Sequence, residues 1–159
     1  MTCGRWLVSD WGPGGLTLVG LANVGDSLTF DGCIMSSHLA EPDAECVLAI
    51  GSDNPTREFL VYGPYAHISP GTYDVTIDYS SAQDSQSPVG AWDVAIDGLP
   101  EGDHLAAGEL TGTNGVATSV TTTIVVPVTE QSTSIVEWRL ITPGAVDVEF
   151  FDVTFTRTN

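Results

Sequence analysis

Lysine is missing altogether, and the basic side chains are Arg5, Arg57, Arg139 and Arg157. Against these four cations stand 21 carboxylates, a formal net charge of −17 at pH 7. So negative a surface repels phosphate, which excludes nucleic acid as a partner and disfavours anionic lipid surfaces. No apolar run approaches the ~20 residues of a membrane-spanning helix. The opening MTCGRWLVSDWGPGG has no long apolar run behind Arg5 and so is not read as a signal peptide. The expected setting is therefore a virion, or the cytoplasm before assembly and release. Cysteine is scarce: Cys3, Cys33 and Cys46. An odd count argues against a full disulfide framework. Cys33 and Cys46 could pair across a loop, but the expectation is buried, reduced thiols acting as small hydrophobes. No Cys-x-x-Cys or Cys/His spacing supports zinc.

Catalytic signatures are lacking too. His38, His67 and His104 stand isolated, with no Gly-x-Ser-x-Gly or comparable nucleophile motif beside them. His67, next to a Pro-Gly corner, reads as a turn residue. Most carboxylates alternate with core residues on strand exteriors, and no enzyme activity is expected. The acidity itself has two readings: an ordinary soluble surface, or adaptation to salt, where screening over roughly 8 Å or less relieves self-repulsion. A marine or halophilic source, or a virus of such a host, fits the second.

What the chain does have is β-structure. Its 159 residues suit one domain with a real core. A hydrophobic content of 42% and a mean hydropathy of +0.13 argue against disorder. The most legible stretch is 59–78, FLVYGPYAHISPGTYDVTID. Two apolar runs, 59–62 and 73–77, are joined by a corner of Gly63, Pro64, Pro70 and Gly71, and together read as a central hairpin. In the second run Tyr73, Val75, Ile77 and Tyr79 share one face, and Asp74, Thr76, Asp78 and Ser80 the other, the period of a half-buried strand. Ser69-Pro70-Gly71-Thr72 has the chemistry of a type II turn.

Ahead of this stretch, residues 1–15 read as an irregular arm, and residues 16–159 as a single domain. The arm carries Trp6, Leu7, Val8 and Trp11 before a Gly-rich joint. Large aromatics there suit a subunit contact; the competing account adds the arm to the chain's own sandwich as a strand. Residues 16–21 and 27–35 read as a first strand pair around a turn at 23–26, followed by a loop at 36–45, a short strand at 46–50 and a turn at 51–56. Residues 80–90 make an exposed polar loop tip. Further strands fall at 91–97, 104–110, 117–128, 133–141 and 146–156, with Pro127 suggesting an edge. Glu137 and Arg139 point outward as a surface pair. The last strand slips phase at Phe150-Phe151, which a β-bulge absorbs. About nine or ten strands with regular turn signals and no helical periodicity give an antiparallel all-β sandwich.

The order of motifs resembles the galactose-binding-like jelly-roll sandwiches found among carbohydrate-binding modules and the β-sandwich domains of polysaccharide-processing proteins. A "G-x-Y-x-V-x-V" strand matches Gly71, Tyr73, Val75 and Ile77. A "V-x-V-D-G" strand matches Val94, Ile96, Asp97 and Gly98, and a closing strand of the type "(I/F)-D-x-(V/I)-x-F" is matched by Phe151, Asp152, Val153 and Phe155. The resemblance spans residues 59–156, and Tyr62-Gly63-Pro64-Tyr65 extends it. It implies a jelly-roll fold and a polysaccharide partner. The family's acidic N-terminal calcium strand has no counterpart in the first fifteen residues.

Sugar binding needs an aromatic ring to stack on and polar groups for hydroxyls. Trp92 with Gln83, Asp84 and Gln86 is one candidate set, although the phase of Trp92 matches core positions; Tyr62 and Tyr65 are another. Asp97, Glu101 and Asp103 in DGLPEGD offer oxygen ligands for Ca²⁺, the sole cofactor considered, against the alternative of a plain turn. Two functions stay open. One is a non-catalytic structural or decorating subunit of a larger particle such as a virion, touching host glycans; the other is a carbohydrate-binding module.

Overall fold

The computed structural model describes residues 23–159 in full and, before them, the backbone of two strands within residues 7–12 and 15–19. It is a two-layer antiparallel β-sandwich, with no helix among the described residues. The strands are β1 (Leu7–Gly12), β2 (Gly15–Val19), β3 (Ser27–Asp31), β4 (Leu48–Ile50), β5 (Phe59–Ile68), β6 (Gly71–Ser80), β7 (Pro88–Ile96), β8 (Ala106–Thr111), β9 (Thr118–Val126), β10 (Ser134–Ile141) and β11 (Val148–Arg157). One sheet runs β1-β2-β5-β10-β7-β8 and the other β3-β11-β6-β9, with β4 set end to end with β3 along β11. The contact of β2 with β5 is the parallel exception.

Alternation builds the core. Tyr73, Val75 and Ile77 of β6 and Val153 and Phe155 of β11 face Val61, Val94, Val136, Trp138 and Leu140 of the opposite sheet, all buried. The Trp138 and Phe150 rings stack across the layers at 5.4 Å, and Phe30 meets Phe155 edge-on at 5.8 Å. The buried hydroxyls of Tyr73 and Tyr79 donate to the carbonyls of Ser69 (2.6 Å) and Thr111 (2.7 Å), which removes the cost of an unsatisfied donor. The bulge expected in β11 is present between Phe150 and Asp152, and β9 is an edge strand, as Pro127 suggests.

Expectations about the hairpin, the first strand pair and the cysteines are corrected. The central hairpin does not exist: β5 and β6 lie in different sheets, and the short link at Ser69-Pro70 carries the chain from one layer to the other. Gly63 and Pro64 sit within β5 rather than at the corner, and His67 is a strand residue, its Nδ1 3.3 Å from Thr133 Oγ1. The first two strands of the domain are likewise not partners. β2 joins β1, while β3 is drawn to β11, where Gly25 N–H donates to the Arg157 carbonyl and Arg157 N–H to that of Asp26. The segment read as an irregular arm contains β1, whose backbone pairs with β2; Trp6 and the side chains of Leu7, Val8 and Trp11 lie outside the described residues. Finally, Cys33 and Cys46 are not reduced core thiols but a disulfide closing the loop between β3 and β4. Cys33 is exposed, and the chain crosses so tightly there that a Cβ on Gly32 would lie 2.4 Å from the Cys46 carbonyl oxygen.

Candidate functional site

The outer face of the six-stranded sheet carries an exposed aromatic among paired charges. Along β5 the buried positions are Leu60, Val61 and Gly63, then Ala66 and Ile68, so the phase set by Val61 and Gly63 changes before Ala66. That change of phase is a bulge. Val136 pairs with Ala66 and Glu137 with Pro64, leaving Tyr65 as the extra residue. Tyr65 has φ of +60°, a left-handed conformation that costs a non-glycine residue roughly 1–2 kcal/mol. Without the bulge its ring would enter the core; with it, Tyr65 joins Tyr62 on the outer face and is 40% exposed.

Cross-strand register assembles the rest. Arg139 on β10 lies opposite Tyr62 on one side and Asp93 on the other, and Glu137 lies opposite Pro64 and Ala95. Arg139 grips Asp93 through two bonds, Nε to Oδ1 at 2.7 Å and Nη2 to Oδ2 at 2.5 Å, and its Nε is 3.3 Å from Glu137 Oε1. The Tyr65 hydroxyl bonds to Glu137, and its pKa is pushed up to about 12, first by burial and then by that carboxylate. Beside it opens a recess of about 240 Å³ lined by Tyr65, Ala95, Asp97, Ile135, Glu137 and Arg139. On the far side of Tyr62, the His38 ring lies 4.7 Å away, with His38 Nδ1 3.2 Å from Glu58 Oε1. Glu58 is held below the usual carboxylate range by the Phe59 N–H and then by His38.

Of the residues anticipated for sugar binding, the structure brings Tyr62 and Tyr65 together and separates the other set. Trp92 is a core residue, 6% exposed, its ring so close to β8 that a Cβ on Gly108 would lie 2.8 Å from Cζ2. Gln83 is turned to the backbone, its Oε1 accepting the Asp147 N–H at 3.1 Å. Asp84 Oδ1 accepts the Gln86 N–H at 2.9 Å, leaving Asp84 and Gln86 exposed on a loop that its neighbours pin down. Ser81, at the loop's base, is buried and bonded to Thr113, and Gly112 N–H donates to Ser87.

The carboxylates of the 97–103 turn do not converge. Asp97 Oδ1 accepts the Ile135 N–H at 2.8 Å, and Asp97, Glu101 and Asp103 are all exposed. Among the described residues, the one cluster with metal-ligand proximity is Asp31, Cys33 and Cys46, whose sulfurs are spent in the disulfide. The residues of the turn therefore do not fit a Ca²⁺ site. Sequence reasoning missed Asp93 and His38, since pairing over 46 residues and a loop folded onto β5 leave no local signal.

No protein-family model matches this chain, and no curated protein does. Solved structures do match in fold. The C-terminal family 6 carbohydrate-binding module of a marine laminarinase from Zobellia galactanivorans superposes with a TM-score of 0.55 at 17% identity, covering 82% of this chain and 99% of that one. A family 4 carbohydrate-binding module gives 0.49 at 15% identity over 86% and 90%. A module of a Cellvibrio mixtus lichenase, in complex with cellotriose, gives 0.41 at 12% over 99% and 89%. The chain thus has the jelly-roll sandwich fold anticipated from its motifs. Nothing in these comparisons speaks for a virion, a decorating role, protein subunits of an assembly or a halophilic source.

Proposed function

We propose that this chain is a non-catalytic carbohydrate-binding module that holds a polysaccharide along the outer face of its six-stranded sheet, over Tyr65 and Tyr62. The observation that carries this reading is Tyr65 itself, a strained bulge residue presenting an aromatic ring on an open face. Strained residues of this kind persist where the surrounding fold over-determines them, and they concentrate at binding sites. The ring supplies a stacking surface, while Glu137, Asp93 and Arg139 supply hydrogen-bond partners for sugar hydroxyls. The fold it shares with the laminarinase module supports the same reading.

The glycan is a neutral one. Arg139 is already engaged by two carboxylates, so the face keeps a surplus of negative charge that opposes uronic or sulfated chains. The Cys33–Cys46 bridge favours an oxidising compartment as the place of work, in place of the cytoplasm. No metal is assigned to the 97–103 turn.

Replacing Tyr65 by Gly tests the reading, because Gly accepts the left-handed backbone while removing the ring. Retention on a panel of neutral insoluble and soluble glucans, xylans and mannans is expected to fall about 30-fold, the scale of an interface hot spot near 2 kcal/mol. Stability should hold or rise by up to about 1 kcal/mol. Undiminished retention by the variant, or no retention of any glycan by the parent, removes the proposal.

A further inference from the structure

The outer face of the five-stranded sheet has a row of three carboxylates. Register places Asp152 of β11 directly opposite Asp31 of β3 on one side and Asp78 of β6 on the other, with Ser119 of β9 next in line. Like charges facing each other across a sheet are destabilising. Two of the three have donors. Asp31 Oδ1 accepts the N–H groups of Cys33 (3.0 Å) and Ile34 (3.3 Å), and Asp78 accepts the Ser119 hydroxyl. Asp152 has none. Its Oδ1 is buried without a partner, and its carboxyl meets that of Asp78. The rows alongside are satisfied by hydroxyls, Thr29 with Thr154 at 2.9 Å and Thr76 with Thr121 at 2.9 Å. Glu149, further along β11, faces Ser80. Among the described residues, the charged groups that act on Asp152 are the carboxylates of Asp78 and Asp31.

We propose that Asp152 works as a proton-operated latch. Protonated, it donates to Asp78 and closes the face; deprotonated, it leaves three facing charges that loosen β3 and the disulfide-closed loop beyond it. The element that yields is the edge strand β3, short and paired on one side, while β6 and β11 are held on both sides. The loop matters because it is a strap between the layers. Ser36 and Tyr62 exchange backbone bonds at 2.9 Å in each direction, and His38 N–H donates to the Phe59 carbonyl at 3.1 Å.

The sign follows from the charges. Burial, then Asp78, then Asp31 push the Asp152 pKa up to about 6 from an ordinary value of 3.8. A carboxyl that holds its proton more tightly when folded contributes stability fully below the unfolded value, and that contribution is lost as pH rises through the folded one. The latch is therefore closed in mildly acid solution and open above about pH 6.

Asp152→Asn keeps the shape and donates permanently, so it should melt with the parent near pH 4 and progressively above it as pH rises to 7. The expected gap at pH 7 is on the order of 5 °C, level thereafter. Hydrogen exchange at the amides of β3 and residues 33–38 should quicken in the parent over the same interval and not in the variant, and Asp78→Asn should shrink the effect. A direct readout needs no variant to fold: the carboxyl carbon resonance of Asp152 in the parent should titrate near pH 6. An ordinary carboxylate midpoint, or parent and Asp152→Asn melting alike at every pH, overturns the latch.

Discussion

On the outer face of the six-stranded sheet Arg139 draws two carboxylates onto itself, whereas on the outer face of the five-stranded sheet Asp152 stands between two carboxylates. Both residues occupy interior strands, and both rows are set by antiparallel register. The first row keeps its charges and is compact enough to seat an aromatic bulge beside it. The second is otherwise a ladder of short hydroxyls in which Thr123 donates to Asp74 at 2.8 Å and Ser27 meets Thr156 at 2.8 Å. One layer offers a ring, a recess and spare acceptors; the other uses its polar groups internally. The same pleat thus makes a candidate binding face on one side and, on the other, a face satisfied within itself except at Asp152.

Three further changes break or sharpen this contrast. The largest effect is expected from severing the strap that runs between the layers. Replacing Cys33 and Cys46 together by Ser opens a loop of 13-residue separation and should cost about 3 kcal/mol in denaturant unfolding, with Tyr62 losing fixed backbone partners. A variant as stable as the parent shows that the strap carries no load. Next, Arg139→Gln makes the six-stranded face resemble the other by leaving Asp93 and Glu137 without their cation. A loss of about 1 kcal/mol is expected after allowance for partial exposure, mostly regained when Asp93→Asn is added. Equal losses in the single and double variants deny the charge explanation. The smallest effect belongs to Thr76→Val combined with Thr121→Val, which should change stability by about 0.5 kcal/mol or less and leave glycan retention unchanged. Weakened retention there moves the binding face to the other sheet.

The parts legible in the sequence are those where strong apolar residues alternate. Tyr73, Val75 and Ile77, or Val136, Trp138 and Leu140, declare their phase in single letters, and the Phe150-Phe151 slip declares its bulge. The slip in β5 has the same form, yet it is marked by Gly63 and Ala66, residues too small to signal burial, beside a Gly-Pro pair that mimics a corner. The sequence therefore offers Tyr65 as a candidate but not the reason for its exposure, which is the bulge. Charge rows were illegible on either face, because Asp93 and Arg139, or Asp31, Asp78 and Asp152, become neighbours through register alone. The choice of sheet for each strand was hidden for the same reason, and an odd number of cysteines could not decide whether one pair closes.

The edge position of β9 has a consequence for how the molecule behaves in crowded solution. Among the described residues no strand pairs with its outer edge, which leaves that edge able to add another strand, and Val125 on its solvent side is 62% exposed. At neutral pH the charge of −17 keeps copies apart, but the sequence pI is about 4.1. Around that acidity, long-range repulsion fades while the edge stays open, so colloidal stability should be poorest where the Asp152 proton makes the individual fold firmest. Solubility and melting temperature would then follow pH in opposite directions.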